Sequence, residues 1–249
     1  MSLPADKMLI RRLFGIGIMA LSVFWGCPVV GQVFYVGGEG GWTHLLVKRS
    51  FDEASESSAG PVPGIGVQDI WGEGYDFGAR AGYEWGPWRL EGELVTRDNP
   101  VAEQRLYSTA GGTAVSTGIN SNVSGERQSW GLMANFLYQA DLQWLGLDPP
   151  ASPYLGVGIG TARLHAVTHS QNTLITDSAD TQLAYQGIIG LRYLFSDAVA
   201  VDLSWHYFAA TDPTFSRVDG TRFPGNYETE NVMLALVFRF LPAGASVGN

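Results

Sequence analysis

In the stretch ENVMLALVFRF, residues 230–240, the side chains alternate between two unlike faces. Val232, Leu234, Leu236, Phe238 and Phe240 share one, and Asn231, Met233, Ala235, Val237 and Arg239 the other. A period of two is that of a β-strand, whose successive side chains point to opposite sides of the sheet. The pattern recurs. Trp130, Leu132, Ala134, Phe136, Tyr138, Ala140 and Leu142 oppose Ser129, Asn135, Gln139 and Asp141. Val199, Val201, Leu203, Trp205 and Tyr207 oppose Asp202, Ser204 and His206, and Leu183, Tyr185, Ile189, Leu191 and Tyr193 oppose Gln182, Gln186 and Arg192. Eight strands are predicted, at 33–45, 71–85, 88–98, 128–142, 153–168, 181–194, 199–209 and 227–240. Their connections alternate in length. Those at Gly86 and Pro87 and at 195–198 are tight and that at 143–152 is moderate, whereas 46–70, 99–127, 169–180 and 210–226 are long and rich in Ser, Thr, Gly and Asn. After residue 31 no apolar run approaches the ~18 residues of a spanning helix, so a helical membrane bundle is excluded.

Composition decides what solvent the apolar faces meet. Charged residues make up 16% of the chain, against a usual share of about a quarter, while 32 of 249 residues are glycine and 12% are aromatic. A soluble sandwich or lipocalin-like barrel would carry Lys and Glu on its outer faces, yet Lys48 is the only lysine after residue 31. Strands bathed in lipid need no such charges, and aromatic rings gather where a barrel crosses the two interfaces. Phe34, Trp85, Trp88, Tyr154, Tyr193 and Phe240 fall near the short turns, and Trp42, Trp71, Trp130, Tyr185 and Trp205 toward the long connections. The fold expected is all-β: an eight-stranded antiparallel transmembrane barrel of up-and-down topology, with short periplasmic turns and long outer loops.

Residues 1–31 are expected to be a signal peptide: Lys7, Arg11 and Arg12 precede an uncharged stretch, and Val29 and Gly31 suit cleavage before Gln32. A retained signal anchor and acylation at Cys27 are the alternatives, opposed respectively by Gly15, Gly17, Gly26 and Pro28 and by the bulky Phe24 and Trp25. Residues 32–240 then form one barrel domain and 241–249 a short tail. Cleavage removes Cys27, the only cysteine, and with it any disulfide, thiolate nucleophile or cysteine metal site. The net charge of −9 argues against nucleic acid as a partner.

The first strand, FYVGGEGGWT, and a last strand that closes on Phe240 resemble those of the small OmpA-like and opacity-porin family of bacterial outer-membrane barrels. The resemblance covers about residues 32–240, and the tail LPAGASVGN after Phe240 departs from it, as does the lack of a peptidoglycan-binding domain. It implies the outer membrane of a Gram-negative bacterium, and a structural or surface, porin-like role without cofactor. It implies lipid and lipopolysaccharide as surroundings and the barrel-assembly machinery as a partner in biogenesis. It makes Val232, Leu234, Leu236, Phe238 and Phe240 the assembly signal, and a monomer is expected. Two other readings stay open: an enzyme acting on outer-leaflet lipid, and an adhesin or receptor acting through loops 51–70 and 100–127.

Catalytic chemistry is thin. Asp202, Ser204 and His206 are the residue types of a hydrolase triad, but neighbours two apart on a strand lie ~6.6 Å apart, too far for a relay. The His-x-Ser pattern of lipid A deacylases is missing, since Tyr207 and Phe208 follow His206. GVGIGTA, from Gly156, lacks the helix that a dinucleotide loop must open. His165 and His169, about 13 Å apart on a strand, cannot share a metal; with Arg163 they form a polar rim, where Arg163 could meet lipid phosphates. No catalytic, cofactor or metal residue is assigned, and the chain is not expected to be an enzyme. Ion pairs are predicted instead. A two-residue turn at Gly86 and Pro87 sets Glu84 opposite Arg89, Arg80 opposite Glu93 and Asp76 opposite Arg97, all on the face away from lipid, with Arg80–Glu93 central and Glu39, Glu91, Arg192 and Asp202 as further lumen charges.

Overall fold

A computed structural model describes residues 32–46, 56–57, 60–61, 65–108, 115–120, 123–140, 142, 151–170, 173–218, 220 and 222–241. The expected signal peptide and all of the tail but Leu241 lie outside the described residues. Eight long strands carry the fold: β1 (Gln32–Leu45), β2 (Gly74–Trp85), β3 (Trp88–Ser108), β4 (Val123–Gln139), β5 (Ala151–Ser170), β6 (Thr173–Ser196), β7 (Val199–Ala210) and β8 (Tyr227–Phe240). Each pairs antiparallel with its neighbours in sequence, and β8 pairs back onto β1, which closes the ring.

The register fixes the tilt. Following directly opposed residues from Phe34 through Tyr83, Leu90, Phe136, Val157, Gly187, Tyr207 and Glu230 leads back to β1 at His44, ten residues beyond the start. With ~3.3 Å per residue and ~4.8 Å between strands, that stagger over eight strands tilts them about 40°. A barrel so narrow must fill its bore with side chains.

Alternation then sorts the residues. Leu234, Phe238, Leu132 and Leu203 stand exposed on the outer wall, while their neighbours Met233, Val237, Met133 and Asp202 are buried in the bore. Gly86, at φ 56°, followed by a proline of fixed negative φ, has the sign pattern of a II′ hairpin turn, and Trp85 pairs with Trp88 across it. All four stretches expected to be long loops hold strand: 210–226 holds Thr214–Ser216 and Arg222–Pro224, and 46–70 holds most of Ile65–Trp71, so the strand expected at 71–85 begins only at Gly74. The stretch 99–127 is not all loop, because β3 runs on to Ser108 and carries Ile65–Trp71 on one side and Val115–Asn120 on the other. Likewise 169–180 holds the paired ends of β5 and β6. Beyond the bilayer both sheet faces meet water, so a strand there needs no apolar face and its Ser/Thr-rich sequence reads as loop. Two aromatics placed in the belts turn inward instead: Tyr154 and Trp71 are buried in the bore.

Candidate functional site

The bore holds buried charge in quantity: Arg80, Arg89, Arg97 and Arg192 against Glu39, Asp76, Glu84, Glu91, Glu93 and Asp202. Alternation puts them there, since each occupies the face that the pleat turns away from lipid. In the half nearer the short turns they form one connected network. Arg192 grips Asp202 with two hydrogen bonds, Nε to Oδ1 at 2.6 Å and an NH2 to Oδ2 at 2.7 Å, and also pairs with Glu84. Glu84 in turn accepts from Arg239 Nε at 3.0 Å. Arg80 pairs with Glu39 and lies 3.4 Å from Asp202 and 3.7 Å from Glu91. Tyr35 donates its hydroxyl to Glu91 at 2.8 Å. Asn135 donates to Glu91 at 3.1 Å and to Glu93 at 2.7 Å, and Gln186 donates to Glu93 at 2.7 Å. Arg89 approaches Asp202 at 3.5 Å and stacks 4.3 Å over the ring of Tyr154.

Every strand of the ring contributes to this network. Several of its bonds cross the bore: Arg192 on β6 meets Glu84 on β2, four strands away around the ring, and Gln186 on β6 meets Glu93 on β3. Contacts of this kind tie strands on different sides of the ring to one another.

The register sets Glu84 opposite Arg89, Arg80 opposite Glu93 and Asp76 opposite Arg97. The ionic partners are different ones. Arg80 turns to Glu39, Glu91 and Asp202 while Glu93 is held by amides, and Glu84 pairs with Arg192 and Arg239. The reason is geometric. In a closed narrow barrel an arginine reaches across the bore as easily as to the next strand, so flat-sheet pairing does not choose its partner. Asp76 and Arg97 form no ion pair among the described residues; the Arg97 guanidinium lies 4.0 Å over the Phe208 ring.

Toward the loop end the described residues pack as an apolar cluster. Leu45, Trp71, Leu164, Ala166, Phe208, Phe215 and Tyr227 belong to one buried cluster. Tyr227 donates to Ser129 Oγ at 3.0 Å, and the Arg127 guanidinium sits 4.5 Å from the Trp71 ring and 5.0 Å from that of Phe215. Phe215 and Arg127 were not legible as site residues. The one signal was a lone large apolar residue in the polar stretch TDPTFS.

The remaining candidates are placed as follows. Ser204 Oγ and His206 Nε2 do meet, at 2.9 Å, which corrects the expectation that their spacing keeps them apart. The imidazole is long enough to lean along the strand. His206 Nδ1 finds no partner among the described residues, and Asp202 is bound by arginines, so no third member orients the ring. Both residues are buried in the bore. His165 pairs with Asp177 at 2.9 Å, and Arg163 stands exposed between Trp130 and Thr181 in the register. Gly156 and its neighbours lie within β5. Val232, Leu234, Leu236, Phe238 and Phe240 all face outward. No acidic, histidine or cysteine group suited to a metal occurs among the described residues.

Residues 28–240 match the family described as outer membrane protein beta-barrel domain. A curated outer membrane protein of Gluconacetobacter diazotrophicus is 34% identical over 96 residues, 36% of this chain and 25% of that protein, so the match spans a quarter of its length. Neisserial surface protein A superposes with a TM-score of 0.50 at 16% identity, over 83% of this chain and 97% of its own. Ail of Yersinia pestis, solved with the heparin analogue sucrose octasulfate, gives 0.44 at 11% identity, over 85% and 100%. The likeness to Neisserial surface protein A is one of fold.

Proposed function

The chain belongs to the outer membrane protein beta-barrel domain family and sits in the bacterial outer membrane, and on that premise we propose that it serves as a structural and surface component of that membrane with a lumen closed to bulk solute. The observation that carries this reading is the Arg192–Asp202–Arg80 chain, which with Glu84, Glu39 and Glu91 ties opposite walls of the bore together. Buried ion pairs gain little over apolar packing, yet losing one partner of such a pair costs ~3–5 kcal/mol. A network so placed holds the bore shut and resists piecemeal loss. The outer face carries Leu, Ile, Val and Phe toward acyl chains, with Trp42, Tyr75 and Trp130 exposed toward the loop end. Val232 through Phe240 supplies the closing strand that the assembly machinery would recognise, and the barrel works as a monomer.

An enzyme of outer-leaflet lipid is the weaker reading. Its nearest chemistry, Ser204 and His206, is enclosed in the bore, away from the lipid wall. Deleting the gene in its Gram-negative host tests the choice. The structural reading predicts increased detergent sensitivity with lipid A and phospholipid acylation unchanged by mass spectrometry. A lost or altered lipid species, restored by the intact chain but not by Ser204→Ala, would establish the enzyme instead.

A further inference from the structure

One arginine stands apart from those in the bore. Arg163, on β5, is exposed on the outer wall, while Ala162 and Leu164 on either side of it are fully buried. Arg105, the other exposed arginine among the described residues of the eight strands, pairs with Glu103 at 2.8 Å. Arg163 forms no hydrogen bond or ion pair among the described residues. The carboxylates of the neighbouring strands are engaged elsewhere. On β6, Asp177 pairs with His165 at 2.9 Å, and Asp180 accepts from Gln182 and from the Thr214 amide, each at 2.8 Å. On β4, Glu126 accepts from Gln128 at 3.2 Å.

The strand itself shows at what level this cation lies. Toward the short turns, the face of β5 that carries Arg163 continues as Thr161, Ile159, Val157 and Leu155, all exposed. Toward the long connections, the next residue on that face is His165 with its ion pair. The register places Trp130 on one side of Arg163 and Thr181 on the other, with Leu132 and Leu183 flanking Thr161 one step below. Trp130, Leu132 and Leu183 are exposed as well. Ile159 lies four residues from Arg163, ~13 Å along the strand. The wall therefore passes from apolar to charged around Arg163, with an indole beside it, as at a membrane interface. A cation on the lipid face costs most at the bilayer midplane and little at the interface. There a guanidinium with unused donors presents a planar fork that matches a phosphate.

We propose that Arg163 is the centre of a lipid-phosphate site on the outer wall. Its guanidinium takes the phosphate of an outer-leaflet lipid, the hydroxyls of Thr161 and Thr181 stand beside it, and the acyl chains lie along Ile159, Val157, Leu132 and Leu183. The barrel then carries a bound boundary lipid on the β4–β6 side, fixed at a set depth by a headgroup contact. This deepens the surface role and rests on the membrane placement of the chain; it does not depend on whether the bore is closed.

The experiment is native mass spectrometry of the full barrel refolded in an uncharged detergent, titrated with bis-phosphorylated lipid A, with phosphatidylglycerol, and with diacylglycerol, which has no phosphate. Gel mobility before boiling checks the fold first, so a failure of the barrel reading shows separately from a failure of the site. Wild type should retain a phosphorylated lipid in preference to diacylglycerol. Arg163→Gln should weaken that retention about tenfold, the worth of one charge-assisted hydrogen bond, and Arg163→Lys should keep part of it. Arg222→Gln removes an exposed arginine outside the eight strands and should change nothing. Retention of lipid A alone identifies a glycolipid phosphate, and equal retention of phosphatidylglycerol identifies a site for lipid phosphate in general. Equal affinity in wild type and Arg163→Gln, an equal loss in Arg222→Gln, or wild-type retention of diacylglycerol as strong as that of lipid A and phosphatidylglycerol would each overturn the proposal.

Discussion

Removing the Arg80 side chain is the most informative perturbation of the closed lumen. Arg80 is buried, pairs with Glu39 and lies within 4 Å of both Asp202 and Glu91. Arg80→Ala takes the paired cation from Glu39 and Glu91, while Asp202 keeps Arg192 and Arg89, and a single uncompensated buried charge already costs ~3–5 kcal/mol. That is a large part of a typical stability of ~5–15 kcal/mol. The partner is then found by double-mutant cycles. Arg80→Ala combined with Glu39→Ala should show a coupling of ~1.5–3 kcal/mol, the range of a hydrogen bond to a charged group. Arg80→Ala with Glu93→Ala should couple by less than about 1 kcal/mol, since Glu93 is held by Asn135 and Gln186 and makes no ion pair with Arg80. The assay is urea unfolding of the detergent- or lipid-embedded barrel, followed by gel mobility and tryptophan fluorescence. A larger coupling for Glu93 than for Glu39 would refute the cross-bore pairing and restore the neighbouring-strand pair that the hairpin register suggests.

Leu234→Arg should cost ~2–4 kcal/mol, the loss expected for a cation near the bilayer midplane, because Leu234 faces outward; folding yields in lipid vesicles equal to wild type would contradict the assignment of faces. Gly225→Ala, whose new Cβ meets the Phe215 ring, should lower the thermal stability of the detergent-folded barrel, with an unchanged melting temperature counting against the seating of that ring. The Thr214 and Gln182 bonds hold the Asp180 carboxyl below its ordinary range. A depressed carboxylate contributes its stability above the unfolded value of ~3.9 and loses it only as pH falls through the lower folded value. The Thr214 amide proton shift should therefore stay flat from neutral pH down to about 5 and move only in stronger acid; a midpoint near 5 or above would show that the Asp180 carboxylate does not hold the Thr214 amide.

Much of the barrel could be read from alternation alone. The strict period of 128–142, 199–209 and 227–240 gave strand, face and lipid contact together, because one wall of a membrane barrel must be apolar. The two-residue turn at Gly86 and Pro87 fixed the β2–β3 register residue by residue, and Trp85 does face Trp88. What alternation could not supply was the third dimension. The partners of Arg80 and Glu84 depend on the diameter and stagger of the closed ring, which bring β6 and β7 within reach of β2. The inward turn of Tyr154 depends on Gly190 opposite it, where a Cβ would lie 2.4 Å from the ring. The outer extensions of β3 and β6 escaped notice because strands in water on both faces carry no apolar period. Phe215 was missed for a related reason, since a single anchoring residue has no period at all.

The central claim is that side chains shut the bore, and single-channel recording of the refolded protein in planar lipid bilayers tests it directly. Wild-type protein should insert without steady large openings, whereas Arg192→Ala, which removes the bond across the ring to Glu84 and the grip on Asp202, should show openings at the same protein load. Large, steady, ohmic openings from the wild-type barrel would show an open water path through the network and contradict the account.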